Sequence, residues 1–141
     1  MLEKETNDLE FFDGVKETLT ALKEQGLLLG VVTDTVHPVS DKLAWFEQAG
    51  IGHLWDTFIS SYELGMRKPE PGIYHAALEQ LGLRPDEALF VGHKISELDG
   101  ARAVGLKTIA FNYEDNAQAD VHIEHFSDLV QALSKLSNLK R

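Results

Sequence analysis

The sequence predicts an α/β fold, a parallel sheet with helices on both faces in three layers. Three observations predict it. Short apolar runs at 27–32 and 88–91 show no polar alternation, the mark of strands buried on both faces, and 106–111 reads as a further strand. Helically spaced apolar residues separate these runs, as in Val15, Leu19 and Leu22 or Leu129, Leu133 and Leu136. Thr33, Lys68 and His93 fall at strand ends or in the loops just beyond them. Right-handed crossovers gather those ends on one rim, where such sheets bind ligands.

In chain order, residues 1–12 are polar and acidic as far as Leu9 and then carry Phe11-Phe12, an extended lead-in to a single domain over 13–141. Asp13 is placed to cap a first helix, which Gly26 stops. The run 27–32 is the first strand and leads into Thr33-Asp34-Thr35. Pro38 suits the first turn of a helix running to about Ala49 and stopped by Gly50. Thr57-Phe58-Ile59-Ser60 is a short second strand. The loop Gly65-Met66-Arg67-Lys68-Pro69-Glu70 then leads into a helix over 71–81, opened by Pro71 and closed by Gly82. A third strand covers 88–91, a helix 96–104 ends at Gly105, and a fourth strand covers 106–111. A polar loop follows, then Val121-His122-Ile123 as an edge strand and Ser127 as the cap of a last helix ending near Leu136.

Composition narrows the function classes. With 141 residues the chain can bury one core, and 43% hydrophobic with 26% charged residues is a globular balance. A net charge of −10, spread along the chain, argues against a nucleic-acid surface and against anionic membranes and serves solubility. The absence of cysteine excludes a disulfide framework and thiol chemistry and fits the cytoplasm. The longest apolar run, 27–32, is interrupted by Gly30 and is far too short to span a bilayer. The acidic N-terminus lacks the basic flank of a signal peptide.

The rim residues suit a phosphorylated small molecule or phosphate. A threonine hydroxyl at a strand end donates to a phosphoryl oxygen, and a lysine ammonium offsets the charge of a transferring phosphoryl group. Acidic side chains after the third strand hold Mg²⁺ through oxygen. The missing part of such a set is a nucleophile. A phosphorelay receiver domain would place acidic residues at a strand end ahead of the threonine, and none precedes Thr33 in that way.

These segments resemble the haloacid dehalogenase (HAD) superfamily of hydrolases, in the group whose cap module lies between the first and second motifs. Val31-Val32-Thr33-Asp34 is similar to the second motif, in which the hydroxyl residue binds the phosphoryl group. Residues 65–74 resemble the region of the charge-neutralising lysine, here Lys68. Val91-Gly92-His93, through Glu97 to Gly100-Ala101, resembles the fourth motif, and 119–129 the usual C-terminal ending. The resemblance covers residues 12–136. It implies a Rossmann-like α/β/α core, phosphatase-type hydrolysis of phosphomonoesters, Mg²⁺ as cofactor, Lys68 as a catalytic residue, Thr33 and Asp34 against the substrate, and Glu97 with His93 at the metal position.

Two departures qualify what it implies. The family nucleophile lies on an early strand ending Asp-x-Asp-x-Thr, and no Asp-x-Asp occurs in this chain. Asp13 leads straight into a helix and reads as structural, and Asp34 reads as a cap of the following turn. His93 stands where the family has an acidic Mg²⁺ ligand, and histidine nitrogen is a poor ligand for that ion. Glu97 then remains of the expected carboxylates, with Asp99 an exposed helix residue. The expectation is weak or absent Mg²⁺ binding.

The first-motif strand of the family sits between the strand ending at Thr33 and the strand ending at Val91, so the sheet here lacks its usual central strand. Either the flanking strands close on each other, or a homodimer forms through the exposed gap, or the N-terminal dozen residues fill it, which their composition disfavours. Three functional readings follow: a phosphatase core inactive alone, a non-catalytic binding or interaction module, and a split or truncated fragment. Of the remaining candidates, the scattered histidines form no ligand set, and Trp45, Trp55, Phe46 and Phe58 read as core.

Overall fold

The structure is a computed structural model that describes residues 14–33, 39–48 and 50–136, with the side chains of Val39, Lys42 and Trp45 outside that description. Asp13, Asp34, Pro38 and the lead-in 1–12 therefore lie outside the described residues.

Helix α1 (Val15–Glu24) follows Gly14, whose φ of 78° places it in the left-handed region. It buries Val15, Leu19 and Leu22, the apolar stripe expected from spacing, and Thr18 beside them. Strand β1 (Gly30–Thr33) is buried at every position. It starts later than the apolar run suggests, with Leu27 at 38% and Leu28 at 46% exposure ahead of it. The reason is tertiary. The Asp56 carboxylate accepts the Leu29 N–H at 2.7 Å, and the Asp56 N–H returns to the Leu29 carbonyl at 2.6 Å, which sets where pairing begins.

Helix α2 (Val39–Gln48) precedes β2 (Thr57–Ser60). Ser60 caps the single turn α3 (Ser61–Leu64), its Oγ accepting from the Tyr62 N–H at 3.1 Å. Helix α4 (Pro71–Leu81) has the expected limits, with Pro71 in its first turn and Gly82 at φ 70° closing it. Then come β3 (Leu89–Gly92), α5 (Ile95–Ala103), β4 (Lys107–Phe111), β5 (Val121–Ile123) and α6 (Leu129–Leu136). Ser127 is not the cap of α6. It lies in a 3₁₀ turn, Phe126–Asp128, in which the His125 N–H donates to Asp128 Oδ2 at 3.2 Å.

All strand pairs are parallel, in the order β2-β1 and β3-β4-β5. Alternate strand residues enter opposite core layers. Val31 and Val91 join α1, α2 and α6, whereas Val32 and Phe90 join α4 and α5. This is the expected three-layer, Rossmann-like architecture.

Of the three outcomes left open for the gap, direct closure is not seen: β1 and β3 do not pair with each other, and no other strand among the described residues pairs with their facing edges. On one face α1 packs on α6; on the other α4, which covers β1 and β2, packs on α5, which covers β3 and β4. No helix among the described residues is long and apolar enough to cross a membrane.

The Asp56 latch yields a pH prediction. Partial burial alone would raise its carboxyl, but the Lys23 ammonium at 2.6 Å and the Leu29 N–H outweigh that and hold it below its ordinary value. A depressed carboxyl contributes stability above its unfolded value of about 4 and loses it as pH falls through the folded value. Asp56→Asn is expected to lower stability at pH 7 by about 1 kcal/mol, the pair being partly exposed. In urea titrations across pH, its deficit relative to the parent should begin to shrink below about pH 4 and go on shrinking as pH falls further. A deficit constant down to pH 2.5 would show that the charge is not what the latch uses.

Candidate functional site

The loop from α3 to α4 carries Lys68. Gly65, at φ 78°, ends α3, and the loop folds on itself where Glu70 Oε1 accepts the Arg67 N–H at 3.0 Å and the Glu70 N–H donates to the Arg67 carbonyl at 2.8 Å. The Lys68-Pro69 peptide is cis. Arg67 points to solvent, whereas the Lys68 side chain is fully buried, with 0% exposure. Its Nζ donates to the Val32 carbonyl at 3.0 Å and stands 3.8 Å from Glu97 Oε2.

Glu97 lies in the first turn of α5, its side chain 4% exposed. Its Oε1 is 3.8 Å from His93 Nδ1 in the loop after β3. Tyr74 of α4, itself buried, donates its hydroxyl to the Glu97 backbone carbonyl at 2.8 Å and so ties α4 to α5 at the level of the site. This close approach needs Gly100. A Cβ there would stand 2.7 Å from Pro69 Cβ, 2.9 Å from the Tyr74 hydroxyl and 3.1 Å from the Pro69 carbonyl oxygen. Gly100 thus lets the Lys68 loop seat against α5.

Thr33, the last residue of β1, is 3% exposed and in register with the buried Ser60 of β2. It follows the residue whose carbonyl Lys68 holds. Of the residues singled out from sequence, Lys68, Glu97 and His93 form one chain of contacts, Thr33 adjoins it along β1, and Asp34 lies outside the described residues. Asp99 is exposed, 4.0 Å from Arg102, as its sequence position suggested. His122 Nε2 lies 2.8 Å from the Ala117 carbonyl, an ordinary loop contact.

Sequence reasoning missed Glu114. Lys94 gives α5 no side-chain cap, and Glu114 from the β4–β5 loop supplies one, accepting the Ile95 N–H at 2.8 Å. Its own N–H donates to the His93 carbonyl at 2.9 Å. The clamp holds the loop carrying His93 and the helix turn carrying Glu97. An acidic residue in a polar loop carries no local sign of such a role, because its partner is 19 residues earlier.

A buried ammonium and a buried carboxylate in one cluster cost desolvation energy, which makes the arrangement weak evidence for stability and better evidence for anion handling. Among the described residues, the donors at this rim do not suit Mg²⁺. That ion takes oxygen ligands in near-octahedral geometry. Here the buried carboxylate stands between an ammonium and an imidazole nitrogen, and no group of three or more His, Cys, Asp or Glu among the described residues could hold a metal.

A sequence profile of haloacid dehalogenase-like hydrolases matches residues 1–111. The chain belongs to this family. It is 34% identical over 122 residues to the glyceraldehyde 3-phosphate phosphatase of Pyrococcus furiosus, covering 83% of this chain and 48% of that protein. It is 33% identical over 132 residues to the phosphoglycolate phosphatase of Pectobacterium atrosepticum, covering 88% and 55%. Among solved structures it is similar to a predicted phosphoglycolate phosphatase from Haemophilus somnus 129pt, with a TM-score of 0.77 and 28% identity over 86% of this chain and 56% of that one. A HAD phosphatase from Thermococcus onnurineus gives a TM-score of 0.77 and 28% identity over 86% and 57%. The chain spans about half the length of the curated relatives it matches. The resemblance is therefore to phosphatase-type HAD hydrolases, and its fold is theirs.

Proposed function

We propose that this chain is the phosphate-contacting half of a phosphomonoester hydrolase and does not turn over by itself. The observation that supports the reading is the meeting at one rim of Lys68, Glu97 and the end of β1 with Thr33, residues from three separate segments of the sequence. In this reading the Lys68 ammonium and the Thr33 hydroxyl take the phosphoryl oxygens of a small phosphorylated molecule, with Asp34 beside them. Glu97 holds Lys68 in place. Hydrolysis by the family route needs an aspartate that forms an aspartyl-phosphate, and no Asp-x-Asp strand is present to bring one.

A second reading is a non-catalytic phosphate-binding module. It is favoured by His93, whose nitrogen 3.8 Å from Glu97 replaces an oxygen donor. Both readings expect binding without turnover. The test is titration of the 141-residue chain with inorganic phosphate, followed by backbone NMR, alongside an assay of p-nitrophenyl phosphate hydrolysis in Mg²⁺. Shifts at 32–33, 68 and 93–97 with no release of nitrophenol support the proposal. Absence of phosphate binding sinks it. Turnover that disappears in Lys68→Ala would show that the chain holds its own nucleophile and would overturn the inactivity.

A further inference from the structure

The loop between β4 and β5 is fixed on its own side of the molecule before it reaches the rim. Asn112 and Asn116, at φ 51° and 69°, turn it through the left-handed region, which asparagine enters more readily than most side chains. Where the loop enters β5, the Thr108 N–H donates to Asp120 Oδ2 at 2.8 Å, and the Asp120 N–H returns to the Thr108 carbonyl at 3.1 Å. The buried Ala117 donates its N–H to the Glu114 carbonyl at 3.1 Å, and its own carbonyl lies 2.8 Å from His122 Nε2 on β5. The Tyr113 hydroxyl donates to Glu124 Oε2 at 2.8 Å, and its ring meets that of His122 edge-on, with centroids 4.9 Å apart. Glu114 is thus mounted on β4 and β5.

From that mount Glu114 grips the rim twice. Its backbone N–H donates to the His93 carbonyl at 2.9 Å, and its Oε1 accepts the Ile95 N–H at 2.8 Å. Between these two contacts the chain turns from the loop after β3 into α5, whose N-cap residue, Lys94, gives no side-chain cap. The first turn of α5 carries Glu97, whose carboxylate faces Lys68 with one oxygen and His93 with the other, both at 3.8 Å. Both contacts depend on where that turn puts the carboxylate. We infer that Glu114 is a positioning residue of this rim: its side-chain hydrogen bond sets the orientation of the first turn of α5, and so the place of Glu97 between Lys68 and His93. The inference rests on the phosphate-contacting reading above, because its consequence is the affinity for a phosphoryl group. The hydrogen bond carries the role and the charge does not. The Glu114 side chain is exposed, where water and salt screen it, and a negative charge beside a phosphate site offers the phosphate no attraction.

Three variants of the 141-residue chain separate reach from charge. Glu114→Gln keeps the accepting oxygen and loses the charge. Glu114→Asp keeps the charge and withdraws the oxygen by one methylene, and Glu114→Ala loses both. Each is compared with the parent in NMR titrations with inorganic phosphate, under conditions where urea melts show it fully folded. The carbon-13 shift of the Glu97 carboxyl is read before phosphate is added. Glu114→Gln is expected to bind phosphate within about twofold of the parent and to leave the Glu97 signal in place. Glu114→Asp and Glu114→Ala are expected to bind about three- to fivefold more weakly, the scale of losing one helix cap, and to displace that signal. Affinity unchanged in the Asp and Ala variants, or lowered as much by Gln, overturns the inference. So does weaker binding with an unmoved Glu97 signal, because the contact would then be a local cap. Where the Ala variant does not fold, the Asp and Gln pair decides the same question. A parent chain that binds no phosphate sinks the proposed function instead. The Glu97 signal then decides alone: movement in Asp with none in Gln keeps the positioning role, and any other pattern overturns it.

Discussion

Lys68→Ala is expected to destabilise the fold by about 3 kcal/mol and to remove phosphate binding. The ammonium lies in a fully buried side chain, 3.0 Å from a β1 carbonyl and 3.8 Å from the Glu97 carboxylate. Its removal takes a positive charge from beside a carboxylate that is 4% exposed, and breaking a buried pair from one side costs far more than the net worth of the pair. The pair is long for a direct ion pair, which places the cost at the lower end of the usual range. Urea denaturation of the single variant and of Lys68→Met combined with Glu97→Gln separates charge from packing. The double variant, neutral at both positions and similar in volume, should recover at least half of the lost stability while phosphate binding stays absent. A single variant within 0.5 kcal/mol of the parent would mean that the cluster is too hydrated for burial to matter.

Gly100→Ala is expected to lower stability by about 1–2 kcal/mol, against the usual sign for a helix interior. Replacing an interior helical glycine by alanine ordinarily gains about 0.5–1 kcal/mol, because the unfolded chain loses freedom. At this position the added methyl would meet Pro69 Cβ at 2.7 Å and the Pro69 carbonyl oxygen at 3.1 Å. Part of the obstruction is backbone and a proline ring, which cannot swing aside as a long side chain can. Relief has to come from moving the Lys68 loop away from α5, so phosphate affinity should fall together with the denaturation midpoint. An alanine variant as stable as the parent, with unchanged phosphate binding, would show that the loop seats without the glycine.

Helix α4 was legible because its limits are local: Pro71 supplies a first-turn φ, and Gly82 adopts the left-handed conformation that ends it. The rim was legible too, since Thr33, Lys68 and His93 follow strands that read as buried runs. The start of β1 was not. Leu27 and Leu28 continue the apolar run, but the Asp56 carboxylate, reached only through folding, decides that pairing begins after them. The same holds for Ser127, displaced as a cap by the Asp128 turn, and for Glu114, whose carboxylate caps a helix across the sheet.

Short-range chemistry therefore settled the order of elements, the parallel α/β class, the family and the residue types at the rim. Each of these rests on periodicity, on a turn residue's φ or on a motif within a few positions. Contacts over longer separations decided the rest. Lys68 found its carbonyl 36 residues earlier, and Tyr74 reached the Glu97 backbone 23 residues later. The division of the described strands into β2-β1 and β3-β4-β5, with α1 packed on α6 and α4 on α5, likewise rests on contacts between distant segments.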